Sequence, residues 1–165
     1  MKPPQFIQTL FRAATDDGAA PQPAARMPAV YRPVARGLQD LLLLGARLYV
    51  AKVFLLSGLT KLRDWDITLA LLQDEYMVPL LPPELAAYLG TGGELVLPVL
   101  LALGLGGRFA AVGLSVVNVM AVLSLTDIAP AALVQHQFWG VLLMAVAVFG
   151  AGRLSLDRWL FNRSV

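Results

Sequence analysis

Four long apolar stretches follow residue 37, separated by short segments rich in polar residues or helix breakers. They cover residues 38–60, 84–103, 108–127 and 133–152. Each is close to the roughly 20 residues that a helix needs to cross a hydrocarbon core about 30 Å thick. "GLGG" at 104–107 predicts a tight turn between the second and third, and "DIAP" at 127–130 closes the third with a breaker. Residues 62–83 read "LRDWDITLALLQDEYMVPLLPP", too short and too acidic to span. They predict a short interfacial helix after the first span, ended by Pro79, Pro82 and Pro83. The fold expected is all-α: a polytopic membrane protein with a four-transmembrane-helix bundle. The domain covers 38–160, after a mobile tail at 1–37 with a short amphipathic segment at 6–12, and before a C-terminal tail at 161–165.

Composition agrees with this class. Apolar residues make up 58% of the chain and charged residues 15%, with a mean hydropathy of +0.68; soluble domains carry about 25% charged residues. The absence of Cys excludes structural disulfides, zinc thiolate sites, iron–sulfur ligation and thiol redox chemistry by this chain. The first 37 residues have no long apolar core and do not read as a cleavable signal peptide. No block of like charge points to nucleic acid. The charges are distributed in an alternating way. Lys2, Arg12, Arg26, Arg32 and Arg36 precede the first span, and the loop after it carries Lys61 and Arg63 against Asp64, Asp66, Asp74, Glu75 and Glu84. Arg108 lies in the second loop, Asp127 in the third, and Arg153, Arg158 and Arg163 follow the last span. That pattern places both termini in the cytoplasm. Asn162-Arg163-Ser164 matches a glycosylation sequon, which on the cytoplasmic side is chance.

Arg47, Lys52 and Glu94 lie inside the spans, where a cation costs about 2.5–3.5 kcal/mol on insertion scales. Counting helical rise from the predicted cytoplasmic ends puts Arg47, Glu94 and Asn118 each roughly 14–15 Å deep. The expectation is an Arg47–Glu94 ion pair completed by Asn118, either a structural lock or a functional layer. Lys52, roughly 21 Å deep, is level with His136. Together with Ser124 and Gln135 or Gln137 they would surround a cavity in the outer half, unless Lys52 snorkels to the outer surface instead. Arg47, Ala51, Phe54, Gly58 and Lys61 share one helix face. A single His without Cys or further His gives no metal site.

Several pieces resemble the DoxX family of small bacterial membrane proteins over about residues 38–160. They are the "SGLTKL" run with Arg47, Phe54, Gly58 and Lys61; "GGELVLPVLLALGLGGRFAA" with Glu94 and Arg108; His136; and the ending "GAGRLSLD", with Gly150, Gly152, Arg153, Ser155 and Asp157. In that ending the glycines stop the last span, Ser155 caps a short helix with Asp157 in its first turn, and Trp159 anchors it at the interface. The resemblance implies a four-helix bundle in the bacterial inner membrane. It also implies an association with thiosulfate:quinone oxidation, oxidative-stress complexes or peptide-modification operons. Three functions follow as expectations. The first is an accessory or quinone-handling subunit of a membrane oxidoreductase, with a redox-protein partner and with quinone as the one cofactor suggested. The second is a non-enzymatic scaffold or assembly partner. The third is a small transporter or lipid-handling protein. The residues form no finished catalytic constellation, and homo-oligomerisation stays open.

Overall fold

A computed structural model describes residues 28–161; the tail segment at 6–12 and residues 162–165 lie outside it. The helices are α1 Arg32–Arg63, α2 Trp65–Asp74, α3 Pro83–Leu103, α4 Gly107–Ser124, α5 Pro130–Phe149 and α6 Leu156–Phe161. Among the described residues, α1, α3, α4 and α5 are long and apolar enough to cross a membrane. They correspond one for one to the four apolar stretches. Proline in the first turn starts α1, α3 and α5, where its missing N–H costs nothing and its fixed φ suits a helix. The predicted interfacial helix forms as α2, but it ends at Asp74, well before the prolines. Its last turn closes through Glu75 and Tyr76 N–H groups donating to the Leu71 carbonyl, and Pro83 opens α3 instead.

The four spans form a ring in which α1 touches α3 and α5, and α4 touches the same two. Buried positions recur at three- and four-residue intervals, as a single inward helix stripe requires: Leu43, Arg47, Val50, Ala51, Phe54 and Gly58 on α1, and Ala87, Thr91, Glu94, Pro98 and Leu101 on α3. The shared core joins Leu43, Val50, Phe54, Leu101, Leu114, Leu143 and Val146. Outward positions are as apolar as inward ones (Leu48, Val99, Val116, Met144), the surface that a bilayer solvates. The small residues set how closely the helices approach. A Cβ on Gly58 would lie 3.0 Å from the Glu94 Cβ, so α1 and α3 pack closely at the level of Glu94.

α1, with 32 residues, is about 48 Å long and longer than any bilayer core. Its first turns are lipid- or solvent-exposed at Val34, Leu38, Leu41 and Leu42, and the packed part of the helix begins near Leu43. This offset between helix start and bundle start changes the depth of every charge on α1.

Candidate functional site

Two polar layers stand at different levels of the bundle. The first lies at the end where α1 enters and α5 leaves, called the termini end. Arg47 is 1% exposed and has backbone partners: its guanidinium donates to the carbonyls of Ala151, Ala102 (3.1 Å) and Leu154 (3.0 Å). Ala102 is in the last turn of α3, and Ala151 lies just past the end of α5. The fork of a guanidinium thus collects carbonyls at the negative ends of two helices. The converse holds for Asp157. Its carboxylate, 3% exposed, accepts from the N–H groups of Gly106 (3.1 Å) and Gly107 (3.4 Å), at the positive start of α4. Asp40 accepts from the Arg153 N–H at 2.9 Å, and the Ser155 hydroxyl accepts from the Arg158 N–H at 3.4 Å, the cap expected for α6. Gly104, at φ 68, fits between Arg47 and Ser155, where a Cβ would meet the Ser155 Cβ at 2.6 Å. The "GAGRLSLD" ending, with Gly150 at φ 81 and Gly152 at φ 78, is therefore a clasp that closes three spans against Arg47.

The expected Arg47–Glu94 pair does not exist. Gly58 faces Glu94, and Arg47 is eleven residues earlier on α1, about 16 Å away along the axis. A span starting at residue 38 places Arg47 too deep, because α1 enters the packed bundle only near Leu43. Glu94 pairs instead with Lys61, Nζ to Oε1 at 2.7 Å; the side chains are 37% and 6% exposed respectively. Asn118 does not serve Arg47 or Glu94 either. It holds His136.

These residues belong to the second layer, a cavity of about 530 Å³ in the far half of the bundle. Val53, Phe54, Val116, Val117 and Met120 form apolar wall, and Lys61, Thr91, Glu94, Ser124, His136 and Trp139 contribute polar groups. Residues of α2 and of the linker after it (Thr68, Leu71, Leu72, Tyr76, Val78, Leu81) cover the remaining side. The linker is tied down by the Met77 N–H donating to the Ser124 carbonyl at 2.9 Å. Thr68 braces the corner before it, its hydroxyl donating to the Lys61 and Asp64 carbonyls at 3.1 and 3.0 Å.

The tautomer of His136 follows from its contacts. Asn118 Nδ2 donates to the His136 carbonyl at 2.9 Å, which turns Asn118 Oδ1 toward His136 Nδ1 at 2.8 Å. An amide oxygen only accepts, so neutral His136 carries its proton on Nδ1 and keeps Nε2 as a base. Its ring packs edge-on against Trp139, centroids 4.8 Å apart, and Trp139 packs against Phe54 at 5.8 Å. Three buried polar atoms in this wall, Glu94 Oε2, Thr91 Oγ1 and Trp139 Nε1, have no hydrogen-bond partner among the described residues. Native proteins rarely leave such groups unpaired, since each costs about 1–3 kcal/mol.

His136 and Ser124, expected around a cavity, both line this one. Lys52, Gln135 and Gln137, expected beside them, are exposed on the outside of the bundle and do not line this cavity. A span ending at residue 60 puts Lys61 in the loop, whereas α1 runs to Arg63 and carries Lys61 on its last turn. Thr91 and Trp139 were missed. Thr91 is three residues before Glu94 and Trp139 three after His136, so a one-turn search around each charge finds both. Among the described residues no three His, Asp or Glu side chains could share a metal ion.

Residues 42–127 match the family model described as DoxX. No curated protein and no solved structure matches the chain. The matched stretch takes in Lys61, Glu94 and Asn118 and stops before His136 and the clasp.

Proposed function

The chain belongs to the DoxX family and is a multi-pass membrane protein, and from that premise we propose that its cavity binds a quinone-class molecule. On this reading it is an accessory, quinone-handling subunit of a membrane oxidoreductase system in the bacterial inner membrane, with both termini cytoplasmic and a redox protein as partner. One observation carries the reading: three buried polar atoms without a partner among the described residues share the wall of one apolar cavity. The volume lies within the 300–1,000 Å³ usual for small-molecule sites, which are mostly apolar with a few placed polar groups. A quinone head offers two carbonyl acceptors and its reduced form two hydroxyl donors. Lys61 Nζ and Trp139 Nε1 are donors suited to the first, and Glu94 Oε2 and His136 Nε2 are acceptors suited to the second. Asn118 acts as a positioning residue by fixing the His136 tautomer. When bound, the quinone supplies the electron chemistry; the chain's residues bind it, orient it and exclude water.

Purification from native membranes, followed by lipid extraction and mass spectrometry, tests the proposal. Near-stoichiometric quinone in the wild type, lost in Glu94→Gln and His136→Ala proteins that remain folded, is the expected result. Wild-type protein free of quinone but bound stoichiometrically to another protein would instead make it a scaffold.

A further inference from the structure

A second concavity lies on the outside of the bundle, between α1 and α3, with a volume of about 400 Å³. Lys52 is the one charged residue lining it; the rest of the wall is apolar, including Leu48, Leu55, Leu56, Val99 and Leu103. Lys52 is exposed and has no acidic partner among the described residues. On a spanning helix, that exposure faces lipid.

The level of this ammonium follows from Arg47. Arg47 reaches the Ala102 carbonyl at the termini end of α3, and Lys52 is five residues further along α1, about 7.5 Å deeper. Side chains on a helix lean toward its N-terminus, and the N-terminus of α1 is at the termini end. A lysine stem about 6 Å long therefore carries its ammonium back toward the level of Leu103, the last residue of α3. A cation then stands near the termini end of α3, with an apolar trough running deeper into the span below it.

We propose that this groove is a binding site for an anionic glycerophospholipid of the leaflet at the termini end. Its phosphate would contact Lys52 Nζ, and one acyl chain would lie along Leu55, Leu56 and Val99. Charge complementarity selects the ligand: the groove has no carboxylate to neutralise Lys52, and a zwitterionic headgroup brings a competing cation of its own. An inorganic phosphate would leave the apolar trough unfilled, so the lipid is the occupant.

Native mass spectrometry of the full-length protein released from detergent tests this, with phosphatidylglycerol and phosphatidylcholine of identical chains as probes. Wild-type protein should prefer phosphatidylglycerol by about five-fold, the contribution of one basic side chain near a membrane surface. The preference should persist in Lys52→Arg and vanish in Lys52→Met and Lys52→Glu, with unfolding midpoints unchanged because the side chain faces outward. Equal binding of the two lipids by the wild type would overturn the site, as would an undiminished preference in Lys52→Met. Displacement of phosphatidylglycerol by inorganic phosphate at equal concentration would overturn the lipid as its occupant.

Discussion

Lys61 and Glu94 are joined by one short contact but are buried unequally, and this asymmetry makes a quantitative prediction. At 2.7 Å and an effective dielectric constant of about 20, the attraction is roughly 6 kcal/mol, much of which desolvation offsets. Replacing Lys61 by Met strands a carboxylate that is 6% exposed and whose second oxygen already lacks a partner among the described residues. The expected loss is about 3–5 kcal/mol. Replacing Glu94 by Gln strands an ammonium whose side chain is 37% exposed and can swing to water or headgroups on its flexible stem; that loss should be about 1 kcal/mol. The double variant should resemble Glu94→Gln rather than the sum of the two. Reversible unfolding by SDS in mixed micelles measures all four proteins. Equal single losses, a larger loss for Glu94→Gln, or additivity in the double variant would each refute the pairing and burial argued here.

The other predictions concern the clasp and the topology. Arg47→Met leaves three carbonyls without a charged donor and should cost about 3 kcal/mol or more in the same assay; Arg47→Lys should recover only part, because an ammonium cannot reproduce the fork. Gly104→Ala, with φ 68 and a Cβ 2.6 Å from the Ser155 Cβ, should lose at least about 1–3 kcal/mol from backbone strain. Asp157→Ala removes the acceptor for two N–H groups at the start of α4 and should cost about 1–2 kcal/mol. Alkaline phosphatase fused after Val165 should be inactive and the same reporter placed between Asp74 and Val78 active, as the basic termini require; the reverse pattern would invert the bundle.

The spans were legible in the sequence because an apolar run of span length is a local property, insensitive to the details of packing. The presence of unusual charges was legible for the same reason. Their partners were not. Arg47 is satisfied by backbone carbonyls, which every residue possesses and no sequence pattern marks. Pairing Glu94 correctly required knowing that α1 overshoots the bundle at its start and continues through Lys61 at its end, facts set by packing at Gly58 rather than by hydropathy. His136 was placed well because a polar group near the end of a span can turn only inward or to the interface. The clasp was half legible: Ser155 as a cap was a local inference, whereas Asp157 serves α4, 50 residues earlier in the chain, a contact that only the tertiary fold creates.

Trp139 supplies a reporter inside the cavity. With Trp65→Phe and Trp159→Phe it becomes the sole tryptophan of the chain, and quinones quench indole fluorescence on contact. Titration of this protein with decylubiquinone in detergent should give saturable quenching, with affinity about ten-fold weaker once Lys61→Met removes the charge-assisted donor to a quinone carbonyl. Linear, unsaturable quenching, equal to that of free N-acetyltryptophanamide in the same micelles, would contradict a quinone-class site in this bundle.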